Sequence, residues 1–139
     1  MSFERTFAIV KPDAVAAGHA GEILAAIEKA GFRILALRMT RLTEQQAKGF
    51  YAVHSQKPFF ASLVKFMTEG PIIVMALERE DAIRKWRETM GATNPANAAE
   101  GTIRQRFGGS IERNCVHGSD AAETAETELR FFFSTSDFL

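Results

Sequence analysis

The run Ile72-Ile73-Val74-Met75-Ala76-Leu77 constrains this chain's fold more than any other feature. It is six consecutive apolar residues directly after the breaking pair Gly70-Pro71, and it is the most strand-like segment present. Thr6-Phe7-Ala8-Ile9-Val10 is a shorter run of the same kind and halts at Lys11-Pro12-Asp13, as a buried strand entering a turn does. Phe32 to Leu42 alternates and is apolar-rich, which predicts a third strand, and Ile111 to Val116 predicts a fourth. Helical signals lie between these runs. Ile23, Leu24, Ile27 and Ala30 recur at helical spacing, with Gly31 where a C-terminal cap belongs. Thr43-Glu44-Gln45-Gln46 has the Thr-x-x-Gln pattern of a capping box, and Phe59 to Met67 and Asp81 to Met90 read as further helices. Ser119-Asp120-Ala121-Ala122-Glu123 opens a last helix, with Ala122, Ala125 and Leu129 among its apolar positions.

The order is therefore roughly β-α-β-α-β-α-β with extra helical pieces, an α/β sandwich in which helices cover one sheet. Both a doubly wound sheet and a ferredoxin-like β-α-β-β-α-β core with inserted helices satisfy that order. Gly91 to Gly109 shows neither period and predicts a long loop before the last strand, of a length that is usually functional when ordered.

At 139 residues the chain has room for one domain spanning residues 1–139, and its 46% hydrophobic content suffices for a core. Seventeen basic and seventeen acidic residues cancel, so no overall field draws it to nucleic acid or a membrane, and any positive charge used on a ligand must be local. Met1 to Val10 lacks the basic start and long apolar core of a signal peptide, and no run approaches membrane-spanning length. One cysteine excludes an internal disulfide, and three scattered histidines form no zinc-ligand cluster. A cytoplasmic location is expected.

In Asn114-Cys115-Val116-His117-Gly118-Ser119-Asp120, His117 stands where a strand gives way to a helix, with a glycine leaving space for a bulky ligand. Phosphate bound there would sit near the positive end of the last helix, and a neutral imidazole attacks phosphorus without prior deprotonation. The bland alternative is a histidine bonded in a turn. Lys11 at a strand end, Arg87 on the helix before the long loop, and Arg104 and Arg106 within that loop supply local positive charge, although each alone reads as a solvated surface residue. In Thr93-Asn94-Pro95 the fixed turn either aims the Thr93 hydroxyl at a phosphate oxygen or simply caps. Of Phe59 and Phe60, one suits the core and the other a flat platform for a base, although two adjacent aromatics are more often core. His19 and His54 have no motif around them and receive no role. Cys115 reads as a small buried side chain.

Asn114 to Asp120 resembles the N-x-x-H-G-S-D signature of nucleoside diphosphate kinases. The likeness extends, in order and spacing, through Val10-Lys11-Pro12-Asp13, Pro58-Phe59-Phe60, Gly70-Pro71, Thr93-Asn94-Pro95 and Gly101-Thr102-Ile103-Arg104, nearly the whole chain. The resemblance implies the ferredoxin-like core and a ping-pong transfer of the γ-phosphate of a nucleoside triphosphate to a nucleoside diphosphate through phosphohistidine at His117, on Nδ1. It implies that Lys11, Arg87, Thr93 and Arg104 grip phosphates, that Lys11 and Asn114 reach sugar hydroxyls, and that Phe59 and Ile111 sandwich the base. Tyr51 is implied to lie beside the site, with Ser119 and Glu128 supporting the imidazole. A base held by its face implies broad nucleotide use. The cofactor implied is Mg²⁺ carried on nucleotide phosphates, with no metal site of the protein's own. The implied partners are nucleoside tri- and diphosphates and further copies of the chain in a homo-oligomer.

Two positions depart from the family pattern: Glu69 replaces a small residue before Gly70-Pro71, and Cys115 replaces an alanine or isoleucine. The ending Phe131 to Leu139 is less familiar and leaves dimer, tetramer and hexamer open. A phosphatase would share the phosphohistidine but pass the phosphate to water. A binding module of the same fold would not need His117.

Overall fold

The computed structural model describes residues 3–139. In chain order it contains β1 (Phe3–Val10), α1 (Pro12–Ala16), α2 (Ala20–Lys29), β2 (Arg33–Thr40), α3 (Glu44–Phe50), α4 (Phe60–Met67), β3 (Ile72–Glu80), α5 (Ala82–Met90), α6 (Ile103–Phe107), β4 (Val116–Gly118) and α7 (Ala122–Phe132). The four strands form one antiparallel sheet in the order β2-β3-β1-β4. With α2 crossing from β1 to β2 and α5 from β3 to β4, this is the ferredoxin-like β-α-β-β-α-β arrangement, into which α3 and α4 are inserted.

Strand alternation divides the core in two. Phe7, Ile9, Val74 and Ala76 point to one face and pack with Tyr51, Val64, Met67 and Leu129. Ala8, Val10, Met75 and Leu77 point to the other and pack with Ile23, Ile27, Trp86 and Met90. Antiparallel sheets commonly leave one face in water. Here helices cover both, which is why 72–77 carries no polar residue: either face of that strand loses about 1.5–3 kcal/mol for each large apolar side chain left exposed.

Local signals resolve as their chemistry dictates. Thr43 Oγ1 accepts from the Gln46 N–H at 3.1 Å and the Thr43 N–H donates to Gln46 Oε1 at 2.9 Å, the reciprocal pair of a capping box. Gly31 follows α2 at φ 88°, the left-handed conformation a helix stop requires.

Three expectations are corrected. Lys11-Pro12-Asp13 is not a plain turn, because Pro12 opens α1 with its ring at the first helical position. Residues 91–109 are not a structureless loop: they hold a 3-10 turn at Pro95–Asn97 and the helix α6, which Thr102 caps by accepting from the Gln105 N–H. The last strand is not Ile111 to Val116 but Val116–Gly118, because residues 109–113 close on themselves through Gly109 and Ser110 N–H bonds to the Arg113 carbonyl. Among the described residues, no helix is long and apolar enough to cross a membrane.

Candidate active site

The site is built around one strained residue. Cys115 has φ 73°, and the Val116 N–H donates to the Asn114 carbonyl at 2.9 Å, so Cys115 is the centre of a γ-turn, a conformation unfavourable for an L-residue. The end of β1 and the start of α1 hold that turn. The Lys11 N–H donates to the Cys115 carbonyl at 2.7 Å, and the Asp13 carboxylate accepts from the Cys115 N–H at 3.2 Å. The turn sets Asn114 on one side and delivers the chain into β4 on the other, where His117 lies opposite Ile9.

Asn114 is buried, and its amide joins two segments: Oδ1 accepts from Lys11 Nζ at 2.8 Å, and Nδ2 donates to the Thr93 carbonyl at 3.0 Å. Burial of the Lys11 ammonium, aided by the nearby Arg104 guanidinium, lowers its pKa from 10.5 to about 8. Arg104 is itself buried and donates to the carbonyls of Asn114 (3.3 Å), Gly91 (3.0 Å) and Val116 (2.8 Å). Burial first, and Arg87 second, lower its pKa to about 10. Three of its five N–H donors are thus committed to backbone, which fixes the loop while the charge still faces the cleft. Arg87 reaches the same opening from α5, ion-paired to Asp120 at 2.7 Å.

His117 is held on both sides. Its Nε2 lies 2.9 Å from Glu128 Oε1, and the same oxygen accepts from Ser119 Oγ at 2.7 Å. Glu128 is brought there by α7, which folds back over β1. The imidazole also meets Phe7, Phe50 and Tyr51 edge-on, at 6.1, 5.5 and 6.2 Å between ring centres. Gly118 is needed for close approach: a Cβ there would stand 2.5 Å from Trp86 Cδ1, and the Trp86 N–H donates to the His117 carbonyl at 3.2 Å. Tyr51 is buried, its hydroxyl has no hydrogen-bond partner among the described residues, and burial pushes its pKa well up.

These elements enclose a cleft of about 460 Å³, within the range of small-molecule sites. Lys11, Tyr51, Phe59, Arg87, Thr93, Arg104, Ile111, Asn114 and His117 all line it. A larger depression of about 570 Å³, bounded by Glu22, Lys29 and Glu100, holds none of them.

The family model for nucleoside diphosphate kinase matches residues 4–138. The chain is 60% identical over 136 residues to the nucleoside diphosphate kinase of Syntrophotalea carbinolica, covering 98% of this chain and 99% of that one. It is 58% identical over 137 residues to that of Halorhodospira halophila, covering 99% and 97%. The chain belongs to the nucleoside diphosphate kinase family. The crystallised Aquifex aeolicus member superposes with a TM-score of 0.97 at 43% identity, over 99% of this chain and all of the other. The Halobacterium salinarum nucleoside diphosphate kinase solved with CDP superposes at 0.95 and 40% identity, covering 99% and 92%.

Within the cleft the sequence-predicted residues divide by depth. Lys11, Asn114 and Arg104 form the buried floor, whereas Phe59 and Ile111 are exposed at the rim. Phe60 packs against the core, as one of an adjacent aromatic pair was expected to do. Ser119 and Glu128 stand behind His117 and do not line the cleft. Arg106 lies outside it, paired to Glu22 on α2. Sequence reasoning assigned no role to His54, yet it lines the cleft and packs on Tyr51 and Phe59, with ring centres 6.5 and 5.5 Å apart. The spacing Tyr51-x-x-His54 was the available signal, because residues three apart share a helical face. Asp120 and Asp13 were likewise missed as partners of Arg87 and Cys115.

Proposed function

We propose that the whole chain acts as one nucleoside diphosphate kinase domain. In this reading His117 Nδ1 attacks the γ-phosphorus of a nucleoside triphosphate, the bond from that phosphorus to the bridging oxygen breaks, and the diphosphate leaves. A second nucleoside diphosphate then enters the same cleft, and a terminal oxygen of its β-phosphate takes the phosphoryl group from Nδ1. The observation that carries this reading is the His117–Glu128–Ser119 arrangement. With Nε2 donating its proton to Glu128, the Nδ1 lone pair is free, and the carboxylate stabilises the positive charge that grows on the ring during attack.

Lys11, Arg87, Thr93 and Arg104 receive the phosphates. Lys11 and Asn114 meet the sugar, and the unpartnered Tyr51 hydroxyl gains an oxygen acceptor. Phe59 and Ile111 hold the base by its faces, which supports broad base use. The cleft's three cations against Glu112 and Asp120 suit a polyphosphate carrying its own divalent cation. Mg²⁺ fits that role, neutralising charge on the phosphoryl oxygens. Leu37 and Met39, exposed on the edge strand β2, support assembly as a homo-oligomer, and the cytoplasm is the proposed location.

The test is incubation with γ-labelled ATP and Mg²⁺ without acceptor. Acid-labile, alkali-stable label should appear on the wild type but not on His117→Ala, and should chase onto added GDP. Unlabelled wild type would sink the relay, and release of label only as inorganic phosphate would indicate a phosphatase.

A further inference from the structure

Glu69, the residue that departs from the family pattern, takes part in a pair of cross-links that tie one lip of the cleft to the other. It stands in the turn after α4 and accepts from both terminal nitrogens of Arg113, at 3.0 and 2.9 Å. The Arg113 guanidinium also lies 4.8 Å over the Phe66 ring, on α4 itself. A second link runs from Ser62, on the same helix, whose hydroxyl donates to Glu112 at 2.9 Å. Both reach the small closed loop 109–113, and both land immediately after Ile111.

Ile111 is 61% exposed, so packing does not hold it. Its position is inherited from its neighbours. The opposite lip, Phe59, sits at the head of α4, so the helix that carries one aromatic wall also anchors the loop carrying the other wall. An eight-residue helix spans about 12 Å, and its backbone hydrogen bonds fix the relative placement of the residues it carries. The gap between Phe59 and Ile111 is therefore set by α4, through Ser62, Phe66 and Glu69.

We infer that Glu69 and Arg113 are positioning residues for the nucleobase, holding the Ile111 loop at the distance from Phe59 that a stacked base needs. This rests on the reading that Phe59 and Ile111 sandwich the base. A bidentate Arg–carboxylate pair supplies the geometric restraint that a single lysine contact does not. Restoring a small residue at 69 removes the bidentate tether and leaves the loop on the Ser62–Glu112 link and the Arg113–Phe66 contact, so base-bearing ligands lose some affinity while a ligand without a base keeps it.

Calorimetric Kd values for ADP and for ribose 5-diphosphate separate the possibilities. In Glu69→Ser and in Arg113→Gln, ADP should bind about two- to fivefold more weakly, and the double variant should be no worse than the weaker single. Ribose 5-diphosphate should bind all of them as it binds wild type. Equal weakening of both ligands, no change in either, or additive losses in the double variant overturns the inference. Phe59→Ala is the benchmark. If it lowers the preference for ADP over ribose 5-diphosphate while Glu69→Ser does not, the tether alone fails. If Phe59→Ala leaves the preference unchanged, the base sandwich fails and the tether falls with it.

Discussion

Nucleotide binding should fall steeply as pH rises above 8, and Lys11 is the reason. Its folded pKa of about 8 against 10.5 reflects an ammonium held in a buried site by one amide oxygen. On the proposed reading, a polyphosphate beside Nζ would supply the missing counter-charge and restore the proton. If the protonated form alone binds, affinity follows the protonated fraction, which drops from roughly three-quarters at pH 7.5 to a few per cent at pH 9.5. The Kd for ADP should thus rise roughly 20-fold over that range, with uptake of close to one proton per ADP at pH 9.5. Calorimetry in buffers of different ionisation enthalpy measures the uptake directly. Lys11→Met should bind about 10- to 100-fold more weakly at pH 7.5 and show a flat profile. An unchanged slope in Lys11→Met, or no proton uptake in the wild type, refutes the reasoning. The same group tilts the stability of the free protein. Between pH 8 and 10.5 the unfolded chain holds the Lys11 proton and the folded chain has released it, so stability rises with pH, by about 3 kcal/mol over the full window. Near the top of that window Tyr51, whose buried hydroxyl resists ionisation, begins to pull the other way.

Ser119→Ala removes one of two bonds to Glu128 Oε1 and should slow phosphoryl transfer about tenfold with little change in nucleotide Kd; an unaltered kcat would contradict a supporting role. Gly118→Ala drives a methyl into Trp86 and should cost about 1–3 kcal/mol, visible as a lowered Tm and altered tryptophan fluorescence. Arg104→Met leaves the Gly91 and Val116 carbonyls without their side-chain donor, and the Asn114 carbonyl with only its γ-turn bond, and should lower the urea midpoint by an amount equivalent to about 2–4 kcal/mol, with faster amide exchange across 91–116.

How much could be read in advance depended on how far each signal reached along the chain. β3 was plain because burial on both faces writes a continuous apolar run, and α3 because its capping box is complete within four residues. The helix α6 went unread although Thr102-Ile103-Arg104-Gln105 repeats the Thr-x-x-Gln pattern of Thr43 to Gln46; five residues with two arginines give no apolar period. The last strand was misplaced because apolar Ile111 and Val116 suggested a span that the 109–113 loop and the γ-turn at Cys115 interrupt. Within the cleft, the motif around His117 was legible. The approach of Glu128 was not, since it depends on where α7 folds back, and neither were the links from Ser62 and Glu69 to residues 44 to 50 positions away.

The γ-turn also governs a rival nucleophile. Sulfur two residues from His117 would ordinarily compete for electrophiles, phosphoryl groups and oxidants. Burial, reinforced by the Asp13 carboxylate, pushes the Cys115 thiol up to about 12. The thiol therefore stays protonated at neutral pH. Asp13, which accepts from the Cys115 N–H and so helps hold the turn that presents the imidazole, thus also keeps the neighbouring thiol protonated.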